Sequence, residues 1–295
     1  MDLENIENSL DNYEPLTKRV LYIVVSCCME ESRLEILEKV IDSLKLEQER
    51  IKRSIECDMI AFDNGSKLED SITQLKRLNC PLYVAKQNNG YWSALYWMLN
   101  HAVDYDRYDY VYIIESDHVH FALDKIELCE RALNEIPSFG SVRTQEYSIE
   151  NRHLYDKTTQ HKDGKKYAWV SHFNPIAKQS VSLSQTHIPD IWESNFLTCL
   201  HSMNRLHEIR HVFNALATLE NFSERDFQSL YYHSYPEIGQ LDGGVFNALL
   251  GFTPYNPKSL SGSWSDNVQQ FGYRETRNDR IVLYDDGDVE LLDVK

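Results

Sequence analysis

Apolar and polar positions alternate along the first half of the chain in a regular succession. Val20 to Val25 is a run of consecutive apolar residues, rich in β-branched types, as expected of a strand covered on both faces. From Ser32 onward the apolar positions space out to Leu34, Leu37, Val40, Ile41 and Leu44, one face of an amphipathic helix. Met59-Ile60-Ala61-Phe62 predicts a second strand, which stops at the turn-forming quartet Asp63-Asn64-Gly65-Ser66. Leu68, Ile72, Leu75 and Leu78 then mark a second helical stripe. Leu82 to Ala85 predicts a third strand, followed by Gln87-Asn88-Asn89-Gly90 and a helix from about Tyr91 to Val103. Tyr110 to Ile114 predicts a fourth strand, ending at Glu115-Ser116-Asp117. This succession predicts an α/β, Rossmann-like architecture with a mostly parallel central sheet flanked by helices. Such sheets bind ligands beyond the carboxyl ends of their strands, where Asp63, Asn89, Glu115 and Asp117 would share one rim.

The second half is less regular. Ser141-Val142-Arg143 predicts a fifth strand, and the polar stretch from about Tyr147 to Lys166 reads as a loop. Pro189 followed by Ile191, Leu197, Leu200, Leu206, Ile209, Phe213 and Leu216 predicts one long helix or two consecutive ones. Residues 251–265, frequent in Gly, Pro, Ser and Asn, read as loop. Arg280 to Tyr284, Asp285-Asp286-Gly287-Asp288 and Val289 to Leu292 have the pattern of a C-terminal hairpin. No Pro- or Gly-rich linker cuts the chain, so it reads as one domain over 1–295, with a ligand-binding half (19–143) and an appended helical and loop region (144–295).

Charge narrows the partners. The 295 residues carry 30 Lys and Arg against 46 Asp and Glu, a formal charge of −16. A polyanion binder needs a basic surface, and the dense basic clusters here are only the short stretches Lys162 to Lys166 and Arg50 to Arg53, so nucleic acid is an unexpected partner. The Val20–Val25 run is far short of the roughly 20 residues that span a bilayer, and no basic then apolar leader opens the sequence. The six cysteines form no C-x-x-C pair, which argues for free thiols in a reducing, cytoplasmic setting.

Several chemistries lack their signatures. There is no G-x-x-x-x-G-K-[ST], no G-x-G-x-x-G after the first strand and no G-x-S-x-G. His118-Val119-His120 beside Asp117 has metal-binding side chains, yet a zinc hydrolase would want further ligands. Glu115-Ser116-Asp117 is more informative. Carboxylates at i and i+2 after a buried strand project to the same side, and hard oxygen ligands suit Mg²⁺ or Mn²⁺, which can hold a diphosphate. Acidic residues also commonly solubilise a strand end.

The order of these motifs resembles the nucleotide-sugar half of GT-A fold glycosyltransferases, most closely family 2. The likeness rests on Val24-Val25-Ser26-Cys27, Phe62 to Ser66, Asn88-Asn89-Gly90 with Ala94, and Ile113 to Asp117, and covers roughly Arg19 to Arg143. It implies that Asp63 binds the nucleobase, that Ser26, Asn89, Gly90 and Ser116 lie along the nucleotide-sugar, and that Glu115 and Asp117 stand for the D-x-D motif, contacting ribose and metal. Glu at the first motif position departs from that pattern and leaves Asp117 as the firmer metal ligand. Phe222-Ser223-Glu224-Arg225-Asp226-Phe227 is similar to the acidic motif that supplies the general base in inverting members. One register selects Glu224 and another Asp226, while the same residues equally read as the polar first turn of a helix through Phe227, Leu230 and Tyr231.

The expected activity is thus transfer of a sugar from a UDP- or GDP-type donor to a carbohydrate or other hydroxyl acceptor, with Mn²⁺ or Mg²⁺ as cofactor. Trp169, Trp192 and Trp264 are candidate sugar-stacking faces, His172 and His233 candidate metal or phosphate contacts, and Asp242-Gly243-Gly244 a candidate tight turn near the sugar. Two other readings stand beside this one. One is a GT-A-like binding or scaffold protein without turnover. The other is a sugar nucleotidyltransferase, which would want a Gly- and Arg-rich loop where Ser26-Cys27-Cys28-Met29-Glu30 stands.

Overall fold

The structure is a computed structural model that describes residues 19–29, 31–51, 57–116, 118–120, 126–145, 155–162, 165–172, 179–194, 202–235, 237–247 and 279–292. The alternating first half is β1 (Val20–Ser26), α1 (Glu31–Ile51), β2 (Cys57–Asp63), α2 (Glu69–Lys76), β3 (Leu82–Ala85), α3 (Tyr91–His101) and β4 (Tyr110–Glu115). Next come β5 (His118–His120), α4 (Ile126–Glu135), β6 (Phe139–Gln145), β7 (Tyr155–Lys162), β8 (Lys165–His172) and β9 (Gln179–Gln185). The chain continues through β10 (Ile191–Ser194), β11 (Ser202–Arg205), α5 (Leu206–Leu216), α6 (Glu224–Ser234), β12 (Glu237–Asn247) and β13 (Val289–Leu292).

All thirteen described strands join one sheet in the order β13-β3-β2-β1-β4-β11-β6-β12-β10-β9-β8-β7, with β5 on β12. The neighbours β3, β2, β1 and β4 run parallel, and β12 runs parallel to β6; the remaining pairs are antiparallel. The fold is therefore a mixed α/β sheet flanked by helices, with its parallel part where the sequence alternates strand and helix.

Strand pleating sorts the core into two layers. Val20, Tyr22 and Val24 of β1, Met59 and Ala61 of β2, and Tyr112 and Ile114 of β4 pack against Leu37, Val40, Ile41 and Leu44 of α1 and Leu75 of α2. Leu21, Ile23, Val25, Ile60, Phe62, Val111 and Ile113 face the other way, onto Leu95 and Met98 of α3, Ile209 and Phe213 of α5, and Phe227 and Tyr231 of α6. Consecutive residues of β1 thus bury themselves on opposite sides, which is why its sequence lacks any polar alternation.

Three expectations for the second half differ from what is found. The polar stretch expected as a loop contains β7 and β8, paired from Tyr155↔His172 to Lys162↔Lys165. The polar and charged composition of both strands hides them from a burial pattern. Among the described residues, the helices expected after Pro189 give way to β10 and β11, and helix begins at Leu206. Apolar spacing alone does not separate short buried strands from helix. Asp242-Gly243-Gly244 is no free turn: it lies inside β12, where the register against β6 shifts between Gln240 and Val245.

The end of the chain also pairs elsewhere. The turn at Asp285 forms, with Asp288 N–H donating to the Asp285 carbonyl at 3.0 Å and Gly287 at φ 85°. Residues 280–284, however, form no strand against β13. Ile281 and Tyr284 pack onto the α3 side of the core, and β13 adds antiparallel to the open edge of β3, Val289↔Ala85 through Leu292↔Leu82. Covering that edge satisfies a row of backbone groups. No helix among the described residues is long and apolar enough to cross a membrane.

Ile23, fully buried at the centre of β1, offers a test of the layering. Ile23→Ala should lower unfolding stability by about 2–5 kcal/mol, read from urea denaturation, because it removes packing and leaves a cavity. Leu46→Ala, at an exposed position of α1, should stay within about 0.5 kcal/mol.

Candidate functional site

Parallel register sets the rim. Ser26 lies opposite Asp63, Val25 opposite Glu115, and Asp63 opposite Val84, so the loops after β1, β2, β3 and β4 emerge side by side. Adjacent strands sit about 4.8 Å apart, which places Asp63 and Glu115 roughly 10 Å from each other across β1. Their sides differ. Asp63 continues the Met59–Ala61 row toward α1 and α2, whereas Glu115 continues the Val111–Ile113 row toward α3 and α5.

Asp63 is 1% exposed, and its carboxylate is used by its own loop. Ser66 N–H donates to Oδ1 at 2.9 Å, while the Ser66 and Ser71 hydroxyls donate to Oδ2 at 2.6 and 3.0 Å. In this arrangement Asp63 shapes the turn after β2 and anchors α2. Ser26 is equally enclosed: its carbonyl accepts from Asn64 N–H at 2.8 Å, and its Oγ lies 3.6 Å from Cys28 Sγ.

The loops after β2 and β3 are pressed together. Gly65 has φ 66°, and a Cβ there would fall 2.4 Å from the Gln87 carbonyl carbon and 2.5 Å from Asn88 N. Only glycine permits both that conformation and that approach. Asn64 Nδ2 donates to Asn88 Oδ1 at 3.1 Å, and Gly90 N–H donates to the same oxygen at 2.8 Å. Asn88 Nδ2 donates to Cys27 Sγ at 3.1 Å, drawing the loop after β1 into the same network. Gly90, at φ 98°, opens α3 without a side-chain cap, and Asn89, half-buried, gives its carbonyl to Ser93 Oγ at 2.9 Å.

Charge at this rim has identifiable sources. Burial first, and the Asp63 carboxylate second, push the Cys27 thiol up to about 11, while Arg33 in the first turns of α1 pulls in the opposite direction. Arg33 acts on Cys28 in the same sense. Burial likewise raises the Tyr284 hydroxyl to about 12, opposed by a backbone hydrogen bond from Asn89.

The acidic turn after Phe222 reaches the same end of the molecule. Trp92, two residues into α3 from Gly90, meets Phe222 edge-on at 5.1 Å and Phe227 at 5.5 Å between ring centroids. Ser223 caps α6, and Asp226 completes a capping box: its Oδ2 accepts from Ser223 N–H at 2.7 Å and Ser223 Oγ at 2.8 Å. The polar-first-turn reading of Glu224, Arg225 and Asp226 describes this helix start, and the carboxylate of Asp226 is occupied in it. Glu224 opens the helix; its side chain lies outside the described residues.

Of the remaining candidates, Glu115 is half-buried at the end of β4 and Ser116 follows as a turn. Asp117 and Trp264 lie outside the described residues, as do the side chains of Trp169 and His172. Trp192 is buried in β10 at 6% exposure, a core position with little ring left to stack on a sugar. Among the described residues no group of three His, Cys, Asp or Glu side chains clusters as a metal site. Glu115 is nonetheless a hard oxygen donor, and Mg²⁺ or Mn²⁺ often uses one or two carboxylates plus water and phosphate. Sequence reasoning passed over Asn64, Asn88, Arg33 and Tyr284. The Asn pair sat inside quoted motifs, but nothing local announces a contact between Asn64 and Tyr284, 220 positions apart.

No protein-family model matches the chain, and no curated protein does. Among solved structures, the chain is similar to 4-diphosphocytidyl-2C-methyl-D-erythritol synthase from Anaerococcus prevotii, at 13% identity and a TM-score of 0.44, covering 76% of this chain and 87% of that one. It is also similar to S. aureus TarS 1–349 in complex with UDP-GlcNAc, at 12% identity and a TM-score of 0.43, covering 77% of this chain and 57% of that one.

Two outcomes follow from this geometry. Gly65→Ala should cost about 2 kcal/mol or more, since strain and a backbone clash combine, whereas Gly90→Ala, with open space around its Cβ position, should cost about 1 kcal/mol; thermal denaturation compares them. Because its thiol is raised, Cys27 should react with iodoacetamide at pH 8 at least about tenfold more slowly than an exposed cysteine, gaining rate as pH climbs toward 11. Peptide mapping of the labelled protein reads that rate.

Proposed function

We propose that the chain is a metal-dependent glycosyltransferase that moves a sugar from a UDP- or GDP-type donor to a hydroxyl acceptor, with inversion. The observation that carries this reading is that the Asn88–Gly90 loop and Glu115 leave parallel strands at the same edge of the sheet, with Phe222, just before α6, packed on Trp92 of the helix that follows Gly90. The motif resemblance over Arg19 to Arg143 supplies the chemistry. Backbone groups of Asn89 and Gly90 would lie along the nucleotide, Arg33 would add positive charge near the diphosphate, and Glu115 with Asp117 would hold Mn²⁺ or Mg²⁺. Asp63 would act through the loop it shapes, fixing where the base sits.

Glu224 is the proposed base, because Asp226 is engaged in the helix cap. It would take the acceptor hydroxyl's proton as the acceptor oxygen bonds to the anomeric carbon and the bond to the diphosphate oxygen breaks on the opposite face. The electron pair leaves with the nucleoside diphosphate, whose charge the cation offsets. The free thiols of Cys27, Cys28 and Cys80 support a cytoplasmic setting.

One observation favours a second reading. The buried Asp63 carboxylate is spent on its own loop and Oδ2 of Asp226 on Ser223, as suits a GT-A-like binding module without turnover. Calorimetric titration of UDP, GDP and their sugar conjugates, with and without Mn²⁺, separates these readings. The transferase predicts binding of one nucleotide in the presence of metal, weakened about tenfold or more in Asp117→Ala, and hydrolysis or transfer that Glu224→Gln abolishes. Metal-independent binding with no turnover on any hydroxyl acceptor would favour the module, and no binding at all would refute both.

A further inference from the structure

Residues 279–292 run from the start of α6 past the N-terminal end of α3 and the loop after β2 to the edge of β3. Asp279 pairs with Phe222 at the start of α6, Phe222 N–H donating to the Asp279 carbonyl at 2.8 Å and Asp279 N–H returning the bond at 2.6 Å. Trp92 Nε1 donates to Asp279 Oδ2 at 3.0 Å. Val282 N–H donates to Ser93 Oγ at 2.8 Å, the same hydroxyl that holds the Asn89 carbonyl. Tyr284 sets its ring 5.9 Å from that of Phe62 and donates its hydroxyl to Asn64 Oδ1. Lys86 N–H then donates to the Asp288 carbonyl at 2.9 Å, and β13 continues onto β3.

Tyr284 is therefore the outer end of a chain of bonds. Its hydroxyl fixes the Asn64 carboxamide, whose Nδ2 fixes Asn88 Oδ1; that oxygen holds Gly90 N–H, and Asn88 Nδ2 holds Cys27 Sγ. An Asn side chain has one carbonyl and one amino group, so a bond that fixes the carbonyl also decides where the amino group points. The geometry points to this strap as a wall of the rim site, and to Tyr284 as the residue that positions the Asn88–Gly90 loop for a nucleotide. The ligand in this inference rests on the transferase reading; the positioning of the loop does not.

Tyr284→Phe tests it, because the ring against Phe62 stays and only the hydroxyl is lost. Ser93→Ala is the second variant, releasing the same loop from its other side. Two readouts are taken on each: the iodoacetamide labelling rate of Cys27 against that of buried Cys80, and the dissociation constant of the nucleotide that the wild type binds. The expected result is a rise of about threefold or more in Cys27 labelling with Cys80 unchanged, and nucleotide binding about five- to tenfold weaker, since the hydroxyl's part-buried hydrogen bond to Asn64, its bond from the Asn89 backbone and the order they impose are lost. General loosening of the fold would raise both cysteines together and would overturn the assignment. Unchanged Cys27 labelling, or a nucleotide bound as tightly as by the wild type, would overturn it as well. Selective Cys27 labelling in a protein that binds no nucleotide would uphold the positioning role while removing the transferase reading.

Discussion

Everything at the candidate site depends on β1 being buried on both faces between two parallel neighbours. A strand in that position has no solvent side, so its register with β2 and β4 is fixed by side chains above and below at once. A slip of one residue would drive Tyr22 and Val24 into the space of Leu21 and Ile23. Because β2 and β4 are both parallel to β1, the fixed register brings their carboxyl ends, and the loops beyond them, to a single edge. Chemistry at that edge is a consequence of packing well below it.

At the rim, polar groups do two kinds of work, and the structure separates them. Asp63, Ser66, Ser71, Asn64 and Asn88 bond mainly to one another, and Ser223 with Asp226 closes α6. Asp63, Asn64 and Ser71 are buried, and polar groups so placed are costly to leave unpaired, which holds the loop after β2 to one arrangement. Glu115, Arg33 and the backbone at Asn89 and Gly90 stand at the margin of that network.

The parallel half was legible because its signals are local and mutually consistent. The Val20–Val25 run, the helical stripe from Leu34 to Leu44 and the turn quartet at Asp63 each specify one element, and short connections leave little choice of topology. The second half was not legible in the same way. Tyr155 to His172 is too polar to announce a strand by burial, and it becomes one through pairing with neighbours. Val289 to Leu292 looked like half of a hairpin, but the edge of β3 competed for it and won while Ile281 and Tyr284 went to the core.

The same division runs through the site residues. Sequence by itself determined which residue types stand after each strand: a turn with Gly65 after β2, an Asn-Asn-Gly after β3 and acidic groups after β4. It could do so because the spacing of those motifs follows the strand–helix period. Only the tertiary structure decided what each side chain does, because hydrogen-bonding capacity is finite and partners come from anywhere in the chain. Asp63 spends its carboxylate on Ser66 and Ser71, Asp226 spends its own on Ser223, and Asn64 is held by Tyr284 from the far end of the sequence.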